Sequence, residues 1–156
     1  MDIYLVQHGE AKAETEDPAR PLSERGREEV ERVGRHGAAV HLLVAAIRHS
    51  GKLRARQTAE ILARHLLPVR GVREEDGLAP DDDPGKAAAA IEAAAEPLML
   101  VGHLPQLRRL VSSLVVGDPE REIVRFRNGG IVCLARAGAV WRLRWILTPE
   151  LVIERP

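Results

Sequence analysis

The chain has 156 residues, 45% of them hydrophobic, and its 23 basic side chains balance its 23 acidic ones. That length suits one domain over residues 1–156 with a real buried core. Zero net charge argues against nucleic acid or an anionic membrane surface as partner, and no apolar stretch approaches the ~20 residues of a membrane span.

Residues 3–6 read as a short buried strand. A polar stretch follows to Ser23, a plausible N-cap for a helix carrying Val30, Val33, Gly34, Gly37 and Val40 on one face. A second strand is expected over 42–47. A helix over about 52–66 then aligns Ala55, Ala59, Leu62, Ala63 and Leu66. Residues 69–73 form a weak third strand and 76–83 an acidic, irregular segment. Asp83-Pro84 caps an alanine-rich helix running to about Glu96. Residues 97–101 are the clearest buried strand, and Pro105 opens a helix that Gly117 closes.

Antiparallel signals finish the chain. Residues 122–127 and 131–136 flank the turn signal Asn128-Gly129-Gly130 and read as a hairpin. From Val140 to Leu147 the pattern alternates, placing Trp141, Leu143, Trp145 and Leu147 on one face. Strands that alternate with helices and end in antiparallel strands predict an α/β fold, a three-layer α/β/α sandwich on a mostly parallel mixed sheet. The lone cysteine, Cys133, lies in an apolar run and reads as core filler. With no disulfide possible and no basic N-terminal region, a cytoplasmic location is expected.

In such a sheet ligands bind beyond the carboxyl ends of the strands. Gln7-His8-Gly9-Glu10 follows the first strand, His49-Ser50 with Arg54 and Arg56 the second, and Gly102-His103 the 97–101 strand. Imidazoles, guanidinium groups and helix N-termini at one edge make an anion site. Gly9 and Gly102 let a ligand or a neighbouring chain come close to the backbone. His36, His41, His49 and His65 read as surface or packing residues. No His-x-x-x-His pair and no Gly-x-x-x-x-Gly-Lys-Ser/Thr loop is present, so neither a metal site nor a nucleotide loop is expected, and no cofactor.

In order, Gln7-His8-Gly9-Glu10-Ala11, Arg20-Pro21-Leu22-Ser23-Glu24-Arg25-Gly26, Ser50-Gly51-Lys52-Leu53-Arg54-Ala55-Arg56-Gln57-Thr58 and Val101-Gly102-His103 resemble the histidine phosphatase superfamily, in particular its SixA-type branch of phosphohistidine phosphatases. The resemblance implies a phosphoglycerate-mutase-like fold. By position it implies His8 as nucleophile, Arg54 and His103 as catalytic phosphate holders, and Gln7, Gly9, Arg20 and Ser50 around the phosphate, with no metal. His103 is expected to be an imidazolium beside its helix start.

Three departures matter. Gln7 stands where the family has arginine, and Arg48, Arg56 or Arg20 could supply the missing guanidinium. Gly51 replaces a proline. Glycine, Gly77, occupies the slot of the acid found in alkyl-phosphoester-cleaving relatives, leaving Asp76 as the candidate proton donor. Lack of a clear acid favours a phosphoramidate, phosphohistidine on a signalling protein of the histidine-phosphotransfer kind. The alternatives are a small-molecule phosphomonoesterase, or a weak or inactive phosphate-binding module crippled at Gln7. The sequence does not fix the oligomeric state.

Overall fold

The computed structural model describes residues 1–154. Its elements are β1 (Asp2–Gln7), α1 (Glu24–Ala39), β2 (Ala46–His49), α2 (Leu53–Leu66), β3 (Val72–Glu74), α3 (Pro84–Ala93), β4 (Leu98–Gly102), α4 (Gln106–Val116), β5 (Ile131–Ala137), β6 (Val140–Leu147) and a short 3₁₀ turn at Pro149–Leu151. One six-stranded sheet has the order β3-β2-β4-β1-β5-β6. The first four strands by sequence are parallel; β5 and β6 are antiparallel.

Alternation along the central strands builds two cores. Tyr4, Val6, Ile47, Met99 and Val101 pack against Val30 and Val33 of α1 and Ala55, Ala59 and Leu62 of α2. Ile3, Leu5, Leu98 and Leu100 pack on the other side against Ala87 and Ile91 of α3 and Leu107, Leu110 and Val111 of α4. The three-layer α/β/α sandwich is therefore as expected. Helices α1 and α2 meet closely because Gly34 and Gly37 face His65 and Leu66; a Cβ on Gly34 would lie 2.7 Å from the His65 ring. The helix signals also hold. Ser23 Oγ accepts from Gly26 N–H at 3.0 Å, Asp83 Oδ2 accepts from Gly85 N–H at 2.9 Å, and Gly117 closes α4 in the left-handed conformation. Cys133 is fully buried in the sheet, which pushes its thiol up to about 12.

The second and third strands sit further along the chain than expected. Strand β2 begins at Ala46 and runs through Arg48 and His49, which a polarity reading excludes but a strand covered on both faces buries. Strand β3 starts only at Val72, after the turn in which Gly71 N–H donates to Pro68 O at 2.9 Å. Helix α3 ends at Ala93, before Glu96.

The C-terminal third differs most. Residues 122–127 form no strand; the hairpin is β5–β6, turning at Gly138-Ala139. Asn128-Gly129 serves the site instead. Trp141 and Trp145 do not share a face. Cys133 pairs with Trp145 but Leu134 with Leu143, so one extra residue in β6 flips the alternation. Trp141 packs on the α3/α4 side, and Trp145 and Leu147 on the α1/α2 side.

Strands β1 and β4 lie side by side at the centre. Helix α1 leaves one face and α4 the other, so the crevice beyond their carboxyl ends is the switch point where α/β sheets bind ligands.

Candidate active site

His8 follows β1 and is 9% exposed. Its Nδ1 lies 2.7 Å from the carbonyl oxygen of Gly9. A carbonyl only accepts, so Nδ1 carries the proton and Nε2 holds the free lone pair. Burial is the main force pushing this ring down to about 4; the Gly9 hydrogen bond opposes it, and Arg54 and Arg20 add to it. At neutral pH the ring is uncharged, in the tautomer a nucleophile needs.

His103 follows β4 and is 2% exposed, with its ring centroid 4.9 Å from that of His8. Its Nε2 is 2.7 Å from Ser50 Oγ, whereas Nδ1 is buried without a partner among the described residues. Burial, then His8, then Arg54, push it down to about 3. The ring is therefore neutral, not the expected imidazolium, because neighbouring cations and the His8 imidazole add to desolvation. A bound phosphate dianion would reverse the local sign and favour protonation.

Arg54 opens α2, its Nε buried without a partner among the described residues. Burial and Arg20 lower its pKa, but a guanidinium stays charged at neutral pH. Arg20 reaches the same pocket, close enough to disfavour charge on Arg54, His8 and His103. Its backbone is left-handed at φ 47°, held by Arg20 N–H to Asp17 O at 2.9 Å and by Nε to Lys12 O at 3.1 Å. Such a conformation costs a residue with a Cβ about 1 kcal/mol or more and is kept here beside the anion pocket. Arg48 and Arg56 do not reach it. Arg48 lies under α3, and exposed Arg56 pairs with Glu60 at 3.6 Å. Gln7 pairs with Gly102 across β1 and β4, its Oε1 buried with no partner among the described residues.

The pocket is assembled by residues that polarity and motif order did not single out. Thr58 Oγ1 accepts from Gly9 N–H at 3.0 Å and donates to Arg54 O at 2.8 Å, tying the His8 loop to α2. Gln57 Oε1 accepts from Leu22 N–H at 2.8 Å. Both lie inside the quoted Arg-Ala-Arg-Gln-Thr segment, which is where a signal existed. Asn128 Nδ2 donates to His8 O at 3.0 Å, and Gly129 N–H to Gln7 O at 2.9 Å. Arg127 anchors this strap on buried Glu29 at 2.6 Å. Gly9 packs under Val30 and Leu22, where a Cβ would meet Val30 at 2.8 Å, so the close approach there is by chain, not ligand. Asn128→Ala is expected to free the His8 carbonyl and lower kcat roughly 10-fold with little change in KM, measured by steady-state hydrolysis.

Two departures from the family pattern also acquire a geometry. Gly51 has φ 88°, which proline at about −65° cannot adopt, so its replacement of proline changes the backbone path rather than one side chain. Gly77 has φ 93° and contacts Lys86, leaving no room for an acid in that conformation. Asp76 beside it lines a cavity of about 390 Å³ together with Ser50, Glu75, Asp82, Asp83 and Lys86, but its side chain is 86% exposed and 3.8 Å from Lys86 Nζ.

Known proteins share this sequence pattern, and others share this fold. The histidine phosphatase superfamily (branch 1) matches residues 3–79, the stretch from β1 through Ala79. An uncharacterized protein of Picosynechococcus sp. is 35% identical over 147 residues, 89% of this chain and 87% of its own.

The chain belongs to the histidine phosphatase superfamily.

Its fold is that of the SixA structures. The protein histidine phosphatase SixA complexed with tungstate aligns with a TM-score of 0.85 at 22% identity, over 98% of this chain and 100% of that one. A SixA structure from Agrobacterium tumefaciens aligns with 0.76 at 24% identity, over 95% and 97%. Membership of this superfamily makes the chain a phosphatase, a hydrolase built around a histidine nucleophile. Among the described residues no helix is long and apolar enough to cross a membrane.

Proposed function

We propose that this protein is a phosphohistidine phosphatase that passes the phosphoryl group through Nε2 of His8. The observation that carries the reading is the 2.7 Å contact of His8 Nδ1 with Gly9 O. It fixes the tautomer, with the proton on Nδ1 and the lone pair on the reacting nitrogen, while burial keeps the ring neutral.

His8 Nε2 attacks phosphorus as the bond to the leaving group breaks, forming an Nε2–phosphoryl bond. The phosphorylated ring, still protonated at Nδ1, is a cation. Water attacks phosphorus next, the P–N bond breaks, and the electron pair returns to Nε2 to leave a neutral imidazole; the water proton leaves with the product phosphate and solvent. Arg54 and Arg20 hold the phosphoryl oxygens together with Ser50 and His103, and Gln7 contributes an amide donor. These groups supply the positive charge, so the reading calls for no metal.

The leaving group decides the substrate. An alkoxide needs a proton from an acid, whereas a protonated phosphohistidine releases neutral imidazole without one. Gly77 in the acid's slot and a solvent-facing Asp76 paired with Lys86 support the phosphoramidate. A phosphoprotein partner and a cytoplasmic site of action go with this reading. The SixA structure that aligns over 98% of this chain is a protein histidine phosphatase holding tungstate, an oxyanion of phosphate-like shape, which also supports it.

The test compares a phosphorylated histidine-phosphotransfer domain with a sugar phosphate and a serine phosphate as substrates. The first is expected to turn over at least about 100-fold faster in kcat/KM. Faster ester hydrolysis, lost in Asp76→Asn, would make the protein a phosphomonoesterase with Asp76 as acid. Gln7→Arg is expected to raise kcat/KM about 10-fold, the difference between a neutral and a charge-assisted hydrogen bond to phosphate. No measurable turnover in the wild type, restored by Gln7→Arg, would identify a crippled binding module instead.

A further inference from the structure

Arg48 is out of place. It is 9% exposed at the centre of β2, and it is the one buried arginine among the described residues. The other buried charge with an obvious role, Glu29, has Arg127 at 2.6 Å. Arg48 makes no ion pair among the described residues. Its one hydrogen bond there goes from Nη1 to the neighbouring carbonyl of Ile47 at 3.2 Å. Glu75 is near enough to favour its charge but not in contact, and Arg73 opposes it. In register on β3, Arg73 is its direct cross-strand neighbour. It too makes no ion pair among the described residues. Like charges directly opposite each other destabilise a sheet, and a buried charge without a counter-ion is costly.

Both guanidinium groups line a groove of about 620 Å³ whose far wall is the alanine face of α3, Ala90 and Ala93. Its two carboxylates do not balance the arginines. Glu96 is taken by Arg70 at 3.0 Å, which leaves Glu75 against Arg48 and Arg73. Arg73, Glu75 and Ala90 also line the next depression, where Glu74, Asp76 and Lys86 join them. Glu75, Asp76 and Lys86 then line the cavity that contains Ser50, the partner of His103. One groove therefore runs between β3 and α3 from the phosphate pocket to the arginine pair. Arg48, in β2, and Ser50, just past its end, are two residues apart, about 7 Å of extended chain.

We propose that Arg48 and Arg73 form a second anion subsite that receives a carboxylate side chain of the phosphoprotein substrate while its phosphohistidine occupies the pocket at His8. It rests on the phosphoprotein reading above. The carboxylate supplies the missing counter-ion, and Arg73, exposed at the sheet edge, is the entry-side donor. The small alanine side chains leave room for a peptide backbone alongside α3. The subsite acts on binding, so its effect falls on KM rather than kcat.

The experiment uses three substrates: the phosphoramidate ion, a phosphohistidine peptide with glutamates on both flanks, and the same peptide with glutamines there. Wild-type enzyme is expected to show a KM about 10-fold lower for the glutamate peptide. Arg73→Gln and Arg48→Gln should bring it to the glutamine value, with phosphoramidate hydrolysis unchanged within twofold. Arg73→Gln lies on an exposed side chain and keeps the test open if Arg48→Gln fails to fold. Titration calorimetry with the unphosphorylated glutamate peptide reads the subsite without turnover: binding to wild type should be lost in Arg73→Gln. No preference in the wild type, a preference that survives in Arg73→Gln, or equal peptide binding to both proteins would overturn the proposal. Peptides that bind in this way but are not hydrolysed would instead overturn the phosphohistidine reading.

Discussion

His8→Asn is expected to reduce turnover on the order of 10⁴-fold, because it removes the only nucleophile the proposed reaction uses while keeping a side chain of similar reach. Loss of rate alone would not separate a nucleophile from a positioning residue. The decisive readout is the covalent intermediate. Rapid-quench labelling of the wild type with a phosphorylated substrate should trap one phosphoryl group that resists base and is lost in acid, mapped to His8. The variant should trap none. A label that persists in His8→Asn, or that maps to His103, would remove His8 from the role. His103 lies only 4.9 Å away centroid to centroid and has an unpartnered Nδ1 of its own among the described residues, so the mapping is needed.

Acid should destabilise this fold earlier than its surface composition suggests. His8 is held at about 4 and His103 at about 3, both by burial first, whereas an unfolded histidine titrates near 6.5. Both folded-state values are depressed, so below about pH 6.5 the unfolded chain binds two protons that the folded chain refuses. Stability therefore falls as pH drops through 6.5 and goes on falling to about 4 for His8 and about 3 for His103. From pH 7 to pH 5 the two rings together cost about 4 kcal/mol, a large share of the ~5–15 kcal/mol that holds a small domain folded. Urea midpoints at the two pH values measure it. The double variant His8→Asn/His103→Gln should lose most of the dependence, and saturating vanadate should reduce it in the wild type by giving the protonated rings a counter-ion. A flat pH response in the wild type would mean that the two rings are solvated. The rate carries a matching signature: kcat/KM should show no inflection from His8 near 6.5, since its Nε2 lone pair survives down to about pH 4.

The hydrophobic pattern was enough for the layers. Apolar runs in 3–6 and 97–101 and helical faces in 24–39, 53–66 and 106–116 each name their partner surfaces, because burying an apolar stripe leaves few arrangements. Strand limits near polar residues were not legible. Arg48 and His49 look like a strand end, yet the sheet continues through them because helices cover both of its faces. Nor was the face of Trp145 readable: a single bulged residue in β6 sends it to the opposite core from Trp141, and a bulge leaves no mark in an alternating pattern.

The site divides in the same way. Residue type and order determined that His8 and His103, just past strand ends, and Arg54, at a helix start, lie on one edge, since the direction of parallel strands fixes which ends they share. What only the tertiary structure decided are the states and supports of those groups. His103 is neutral because desolvation and neighbouring positive charge add up at one point in space, a sum that runs over residues from separate segments of the chain. Asn128 belongs to the His8 loop rather than to a hairpin because backbone carbonyls at the end of β1 accept its amide and the Gly129 N–H, contacts spanning about 120 residues that no local pattern encodes. Charge, burial and hydrogen bonding depend on distance in three dimensions, while sequence records only separation along the chain.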